Sequence, residues 1–240
     1  MIHDRHLDFD GCYNVRDLGG LATGDGRTTR AGAVVRSDTP DRLTAEGWSA
    51  LRAYGIRTLV DLRNDREVRA WNGYRPPWIT VLRAPLDDDG DTEFWERRRH
   101  LYGTPLYYRT FLEHKPGRCA AAITAIAQAP PGGVLFHCVA GRDRTGIVAL
   151  LLLALAGVAP ADIASDYELT TERLGPLYAK LGEEDEAPMI RRRLLKENTS
   201  AREIILTTLA ELDVEAHLLD GGLHKDDLGT LRARLLGPPD

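Results

Sequence analysis

The chain has 240 residues, 43% hydrophobic and 28% charged, which are the proportions of an ordinary folded globular protein. Its length suits one large domain or two small ones, and because no linker, repeat or composition break divides it, we predict a single domain over residues 1–240. The net charge of −5 argues against a nucleic-acid partner, which would require a basic balance or a basic face.

The cysteines, the histidines and the apolar runs indicate where the protein resides and whether it holds a cofactor. Three cysteines, Cys12, Cys119 and Cys138, are too few for a disulfide framework, so we expect a reducing compartment. Residues 1–16 lack the apolar core of a signal peptide, and the longest apolar run, residues 147–158, is too short to span a bilayer. We therefore expect a cytoplasmic protein without an integral membrane segment, with export by a route lacking a cleaved signal left open. The seven histidines are scattered, so we expect no metal site and no cofactor.

The first third of the chain predicts a hairpin followed by an alternation of helix and strand. A short extended segment within residues 11–23 and a strand over 28–36 flank a glycine-rich turn, which is typical of a small antiparallel hairpin. A helix then begins near Leu43 and ends at Gly55. It is followed by a strand over residues 56–62. A further helix is expected to begin near Asn64.

The middle of the chain predicts one more strand and two helices. A proline pair at 76–77 precedes a strand over residues 78–86, which runs into an acidic loop at 87–91. Residues 93–114 have apolar side chains at helical spacing and predict one long helix. An alanine-rich helix over 118–128 follows.

The most informative stretch joins a buried strand to a buried helix through a short loop. The apolar residues 134–136 predict the strand, and the apolar run 147–155 predicts a helix that begins near Thr145. Cys138 lies at the end of the strand, and Arg144 lies where the helix begins.

The residue types in this loop suit the binding and attack of a phosphate ester. Backbone N–H groups between Cys138 and Arg144 can converge as an anion-binding nest, to which the helix N-terminus adds a partial positive charge. Gly141 permits backbone conformations that a β-carbon would forbid. Arg144 offers a planar fork that matches two phosphoryl oxygens. The same positive field favours the thiolate form of Cys138, which is the nucleophilic form.

These residues resemble the signature of a known superfamily, the cysteine-dependent protein-tyrosine and dual-specificity phosphatases. The matching positions are His137, Cys138, Gly141, Arg144, Thr145 and Gly146. The combination of Ala140, a basic residue at 142 and Asp143 is similar to an atypical bacterial branch that acts on phosphotyrosine, phosphoserine/threonine and phosphoinositides. Residues 14–20, 36–38 and 61–63 resemble other segments of that branch, so the resemblance covers most of the chain. Arg142 departs from the lysine usual there.

The resemblance implies a fold, a mechanism and a set of site residues. The expected fold is α/β, with a central mixed sheet flanked by helices and the cysteine loop between a strand and a helix. The thiolate of Cys138 is expected to attack phosphorus, Arg144 to stabilise the transition state, and the Thr145 hydroxyl to hydrogen-bond the sulfur. His137 is expected to orient the loop. The substrate-binding residues implied are Val139, Ala140, Gly141, Arg142, Thr145 and Gly146.

The general acid is the least determined part of the predicted mechanism. Asp143 lies inside the loop and is proposed as the acid in the resembled branch, so we rank it first. Asp61 follows a strand at the ligand-binding edge, but a structural salt bridge explains it equally well. Asp87 ends the next strand, and aspartates in turns are usually solvated. The resemblance also places Asn14 and Arg16 near the site, although Arg16 could instead form a surface ion pair with Asp17.

Residues 171–198 are charged and interrupted by glycine and proline, and we predict helices that form a lid over the site. The resembled branch has a helical lid at this place; an ordinary helical excursion is the alternative. The substrate is expected to be a phosphorylated protein, which Tyr107 and Tyr108 could flank, or a phosphoinositide, which Arg142 and the arginine triplets at 97–99 and 191–193 could bind. The oligomeric state stays open. Two other functions stay open as well: a catalytically weak phospho-ligand-binding module, and another thiolate enzyme such as an arsenate reductase.

Overall fold

The computed structural model describes residues 5–70, 73–87 and 90–237. Within these residues the strands are β1 (Arg16–Asp17), β2 (Val34–Ser37), β3 (Ile56–Asp61), β4 (Thr80–Arg83) and β5 (Gly133–His137). The α-helices are α1 (Ala45–Ala53), α2 (Asp65–Ala70), α3 (Thr92–Arg98), α4 (Tyr108–His114), α5 (Pro116–Ala127), α6 (Asp143–Leu155), α7 (Pro160–Leu181), α8 (Ala187–Lys196), α9 (Ala201–Glu211), α10 (Val214–Asp220) and α11 (Lys225–Leu236).

The strands form one mixed sheet in the order β1-β2-β5-β3-β4, which confirms the predicted fold class. Strand β1 is antiparallel to β2, and the other neighbours are parallel. Strand β5 lies in the middle, where the ends of its neighbours pair with its last residue: Ser37 and Asp61 are both in register with His137. The loop that follows β5 therefore emerges at the carboxyl edge of the sheet, which is where α/β proteins bind ligands.

Strand β5 is buried on both faces because each face packs against a hydrophobic core. Val134 and Phe136 belong to the larger core, which includes most of helix α6. Leu135 belongs to a second core on the other face, together with Trp48 of α1. Helix α6 is apolar around its circumference, which is typical of a fully buried helix. The loop between β5 and α6 is thus held between two rigid elements.

The prediction of one helix over residues 93–114 was wrong. The chain forms α3, two turns of 3₁₀-helix and then α4. The break occurs at Gly103, whose φ of 80° ends the helical conformation, and at Thr104, whose side chain caps the turn that begins with Pro105. Nearby, the strand predicted over 78–86 is shorter and spans only Thr80–Arg83.

The predicted interruption of the 171–198 stretch at Gly175-Pro176 was also wrong. Helix α7 runs through both residues for 22 residues and ends at Gly182, which has a φ of 69°. One face of this half of α7 buries Leu174, Leu177 and Tyr178, and this packing outweighs the cost of an internal proline. Helix α8 then follows as a separate element. Within the described ranges, no helix is long and apolar enough to cross a bilayer.

Candidate active site

Cys138 lies at the base of the β5–α6 loop with its sulfur facing a hydroxyl group. Its side chain is buried, and Thr145 Oγ1 lies 3.2 Å from Cys138 Sγ. Helix α6 begins at Asp143, so its N-terminal end is directed toward the same loop. A hydroxyl donor and a helix N-terminus both stabilise negative charge on sulfur.

Two of the loop carbonyls are held on the outside of the loop by its neighbours. The Cys138 carbonyl lies 3.0 Å from Nδ1 of His137, and the Val139 carbonyl accepts a hydrogen bond of 2.9 Å from the Thr39 amide. Because a carbonyl oxygen can only accept, His137 carries its proton on Nδ1. In a trans peptide the C=O and the following N–H point in opposite directions. The amides of residues 139 and 140 are therefore turned away from these partners.

The next two carbonyls are held in the same way by side chains from the N-terminal third of the chain. Asn14 Nδ2 donates to the carbonyls of Ala140 and Gly141, at 3.0 and 3.1 Å. Arg36 Nη2 donates to the Gly141 carbonyl at 2.9 Å. Four successive carbonyls thus have outward partners, and the four following amides, of residues 139–142, are left to face the interior of the loop. This is the arrangement of an anion-binding nest.

Gly141 is required at its position for two reasons. Its φ is 70°, a conformation that residues with a β-carbon rarely adopt. A β-carbon there would also lie 2.5 Å from the Ser37 carbonyl oxygen at the end of β2. The close contact between loop and strand leaves no room for a side chain.

Arg144 is held by two acidic side chains, of which Asp87 was a predicted site residue and Glu67 was not. Glu67 of α2 accepts two hydrogen bonds from the guanidinium, at 2.5 and 2.6 Å, and Asp87 lies 3.2 Å from the same group. Burial raises the pKa of Glu67, but the hydrogen bonds and charge of Arg144 outweigh burial and lower it below its ordinary value. The one available signal was an acidic residue in the first turn of a helix that follows a strand end.

The three candidate acids differ in their surroundings. Burial raises the pKa of Asp143 more than the charges of Arg142 and Arg144 lower it. Burial also raises the pKa of Asp87, again against the opposing effect of Arg144. Burial also raises the pKa of Asp61, but the hydrogen bonds and the charge of Arg63 lower it by more. The pKa of Asp61 therefore lies well below its ordinary value. Protonation near neutral pH is therefore easier for the first two.

Asp61 has the environment of a structural ion pair. It accepts hydrogen bonds from Arg63, the shortest being 2.8 Å, and lies 3.1 Å from Arg83. Its other neighbour is His137, whose Nε2 lies 4.0 Å away. Burial lowers the pKa of His137 to about 4, so this ring is neutral. The salt-bridge interpretation of Asp61 fits these contacts, and they leave it poorly suited to donate a proton.

Arg142, predicted to bind substrate, contacts the two helices that follow the loop. Its guanidinium donates to Glu186 at 2.6 Å and to the Tyr178 hydroxyl at 3.2 Å. Its Nε lies 3.5 Å from an Asp143 oxygen, and the other Asp143 oxygen, Oδ1, is buried without a hydrogen-bond partner in the described part of the chain. Ala140 packs against the apolar cluster of α7. The end of α7 and the start of α8 thus cover one side of the loop.

Arg16 contacts the loop indirectly, through Asn14, to whose side-chain oxygen it donates a hydrogen bond of 2.7 Å. The suggested ion pair between Arg16 and Asp17 is absent among the contacts of these described residues, because Asp17 instead accepts from the amides of Gly19 and Gly32. Tyr107 and Tyr108, considered as flanks for a phosphotyrosine, are buried core residues.

Known proteins resemble this chain along most of its length. The profile described as the tyrosine phosphatase family matches residues 7–237. A Cupriavidus necator protein assigned to the tyrosine-protein phosphatases is 36% identical over 72% of this chain, and the match spans 66% of that protein. The triple specificity protein phosphatase PtpB of Mycobacterium tuberculosis is 30% identical over 85% of this chain and 81% of its own length. TpbA of P. aeruginosa aligns over 90% of this chain and 94% of its own, with 18% identity and a TM-score of 0.38, a likeness that says nothing about substrate.

Proposed function

We propose that this chain, which belongs to the tyrosine phosphatase family, hydrolyses phosphate monoesters through a cysteinyl-phosphate intermediate on Cys138. The observation that carries the proposal is the Thr145 hydroxyl, 3.2 Å from Cys138 Sγ at the base of a loop whose carbonyls are held outward. A sulfur placed below inward amides is in position to attack the phosphorus of a bound phosphoryl group. The family implies a phosphorylated substrate.

The reaction proceeds in two balanced steps. In the first, the Cys138 thiolate forms an S–P bond while the ester P–O bond breaks, and an acid protonates the leaving oxygen. In the second, water attacks the phosphorus, loses a proton to the same group, and releases inorganic phosphate and the thiolate. Arg144 and the amides of residues 139–142 stabilise the charge on the equatorial oxygens in both transition states. Thr145 stabilises the thiolate as leaving group in the second step.

Asp143 is our first choice for the general acid, and Asp87 is the second. Burial raises the pKa of both, although Asp143 is only partly buried, and Asp143 has a buried oxygen without a partner in the described residues that could hold the transferred proton. The test compares Asp143→Asn, Asp87→Asn and Asp61→Asn by their pH–rate profiles. The variant that lacks the acid loses the alkaline limb of the profile. An unchanged profile in Asp143→Asn would exclude it.

Cys138→Ser tests the mechanism directly. The variant keeps the size of the side chain but replaces the thiolate by a poor nucleophile, so hydrolysis of an aryl phosphate is expected to be abolished while the far-ultraviolet circular dichroism is unchanged. Rapid quenching of the wild type with a ³²P-labelled substrate is expected to trap label on Cys138. Turnover by the folded Cys138→Ser protein at the wild-type rate would refute the proposal.

Phosphotyrosine is the proposed substrate. The resemblance to the bacterial branch suggests phosphoserine/threonine and phosphoinositides as a wider range, and the name of the Mycobacterium tuberculosis relative, a triple specificity protein phosphatase, is in keeping with more than one substrate. The aromatic ring of Tyr102, partly exposed, stacks on Trp95 at 4.8 Å between centroids. The next residue, Gly103, lies against the loop, since a β-carbon there would be 3.0 Å from Nη2 of Arg142, and this supports a position of the Tyr102 ring beside the site. An aromatic wall favours a phenyl phosphate. Parallel turnover of phosphotyrosine peptide, phosphoserine peptide and phosphoinositide vesicles tests the order, and preference for the lipid would reverse it.

A lid formed by the end of α7 and by α8 is part of the same proposal. The contacts of Arg142 with Tyr178 and Glu186 are the polar links between lid and loop. Glu186→Gln removes the charge from one link, so we expect faster turnover of a phosphopeptide relative to p-nitrophenyl phosphate, which is small enough to need less opening. An unchanged ratio would favour an ordinary pair of packed helices.

We infer a reducing, cytoplasmic location from the chemistry of the nucleophile. All three cysteines are free, and a thiolate such as Cys138 is readily oxidised. Fractionation of cells that produce the tagged protein tests this, and recovery from the oxidising side of the membrane would contradict it.

A further inference from the structure

A cluster of three arginines around one aspartate lies behind the phosphate-binding loop. Asp166 of α7 accepts hydrogen bonds from Arg5 at 2.8 Å, from Arg36 at 2.7 Å, and from Arg16 at 3.1 and 3.2 Å. The backbone carbonyl of Asp166 also accepts from Arg16, at 2.6 Å. All four side chains are buried, with no more than 6% of any of them exposed. We call these four residues the Asp166 cluster.

The Asp166 cluster contacts the loop by two routes. Arg36 holds Asp166 with one guanidinium nitrogen and the Gly141 carbonyl with the other. Arg16 donates to the oxygen of the Asn14 amide, whose nitrogen then donates to the Ala140 and Gly141 carbonyls. The bond from Arg16 fixes which end of the Asn14 amide faces the loop, because a guanidinium can only donate. Asp166 thus orients both groups that hold these carbonyls outward.

The charges of the cluster do not balance. Within the described ranges, the ion pairs of the three arginines all go to the one carboxylate, which leaves a net charge of about +2 in a buried region. The effect is visible in Arg16, whose pKa is lowered to about 9 by burial and then by the charge of Arg36. Buried excess positive charge is costly unless a negative charge is nearby. The Cys138 thiolate and a bound phosphoryl group supply such charge at the loop.

We propose that Asp166 is a positioning residue for phosphate binding, which aligns Arg36 and Asn14 so that the loop amides of residues 141 and 142 converge on the phosphoryl group. This rests on the proposed phosphatase function of the loop. Asp166 acts indirectly, since it contacts no loop atom among the described contacts; of the three arginines that it holds, Arg36 contacts the loop and Arg16 contacts Asn14. Its buried positive charge adds to the attraction for the anion.

Asn14→Asp tests the route through Asn14 with a side chain of nearly the same shape. The new carboxylate still accepts from Arg16 and gains an ion pair with it, but it places lone pairs against the two loop carbonyls instead of N–H groups. The readout is the alkylation rate of Cys138 by iodoacetate divided by that by iodoacetamide, together with inhibition by inorganic phosphate. Iodoacetate is an anion similar in size to the neutral iodoacetamide, so the ratio measures how strongly the loop attracts an anion and requires no turnover. We expect the ratio and the affinity for phosphate to fall at least about tenfold.

Asp166→Asn tests the cluster itself, and Asp227→Asn is its matched control. Asp227 is a buried carboxylate of α11 whose hydrogen bonds go to Gln128 of α5. A purely structural role for Asp166 predicts lower melting temperatures in both variants with an unchanged alkylation ratio. The substitution makes the cluster more positive, so through charge alone it would raise the ratio; our proposal, in which misaligned amides dominate, predicts a lower ratio in Asp166→Asn only. If Asp166→Asn does not fold, Asn14→Asp decides alone, and a wild-type ratio there overturns the proposal. If the wild-type protein lacked phosphatase activity while the alkylation ratios of wild type and variants were as expected, the proposed function would be refuted but the anion site would still be supported.

Discussion

Glu67 holds the guanidinium of Arg144 through two hydrogen bonds, at 2.5 and 2.6 Å, so the group expected to bind phosphoryl oxygens is already fixed by a carboxylate. A bidentate carboxylate occupies one edge of an arginine fork and leaves the other donors in a defined plane. Glu67 can therefore orient Arg144 toward the loop, or compete with substrate for it. The two roles predict opposite effects of removing the charge.

We expect Glu67→Gln to slow the enzyme, because it loosens Arg144. Charge-assisted hydrogen bonds contribute about 1.5–3 kcal/mol, so the loss in kcat/KM is expected to be roughly 10–100-fold. Steady-state kinetics with an aryl phosphate measures it. The control is Glu113→Gln, which removes a carboxylate from an exposed pair with Arg109 on α4 and should have no effect. Higher activity in Glu67→Gln would show that this carboxylate competes with substrate.

The hydroxyl of Thr145 is expected to activate the nucleophile. Thr145→Val keeps the shape of the side chain but removes the donor to Cys138 Sγ, whereas Thr145→Ser keeps the donor and removes only a methyl group. We expect Thr145→Val to lower the alkylation rate of Cys138 by iodoacetamide at pH 6 roughly tenfold, and Thr145→Ser to stay close to wild type. Equal rates in the two variants would remove the hydroxyl from the mechanism.

His137 is expected to make the fold sensitive to acid. Burial lowers its pKa from 6.5 to about 4, against the weaker opposing effect of Asp61. Between these values the unfolded chain binds a proton that the folded chain does not, so stability is fully present above pH 6.5 and falls as the pH drops toward 4. Between these two pH values, the free energy of unfolding that His137 contributes falls by up to about 1.4 kcal/mol per pH unit.

The variant His137→Asn isolates this effect, because its amide can still donate to the Cys138 carbonyl but does not titrate. Urea unfolding at pH 7, 6 and 5 gives the free energy of unfolding of both proteins. We expect wild type to lose more stability than His137→Asn over this range, above the region where lowered carboxylate pKa values such as that of Asp61 begin to matter. Parallel pH dependences would show that folding does not lower the pKa of His137.

The sequence predicted the parts of this protein whose physics is local. The strand, loop and helix around Cys138 follow from an apolar run, a glycine and a second apolar run, and the sheet confirmed the predicted fold class. The roles of Glu67 and Asp166 could not be predicted in this way, because an acidic residue on a helix is usually exposed. Their importance comes from tertiary contacts: Glu67 with Arg144, 77 residues away, and Asp166 with Arg16, 150 residues away. Helix α7 continued through Gly175-Pro176 for the same reason, since the packing of its apolar face decided against local propensity.

The hydroxyl group of Tyr108 leaves no room for a side chain at Gly146. A β-carbon on Gly146 would lie 2.2 Å from the Tyr108 hydroxyl, which donates a hydrogen bond of 2.8 Å to the Asp143 carbonyl at the start of α6. Gly146→Ala is therefore expected to displace this tyrosine, at a cost of about 1–3 kcal/mol in the free energy of unfolding and a loss of activity.

Tyr108→Phe alone should cost about 1 kcal/mol through the lost hydrogen bond. In the double variant Gly146→Ala/Tyr108→Phe the clashing oxygen is gone. We therefore expect the stability lost by the double variant to be smaller than the sum of the two single losses, by at least about 1 kcal/mol. Urea unfolding of the four proteins measures this coupling. Strict additivity would mean that the new methyl group clashes elsewhere, with the ring of Tyr167, 3.3 Å away, as the next contact.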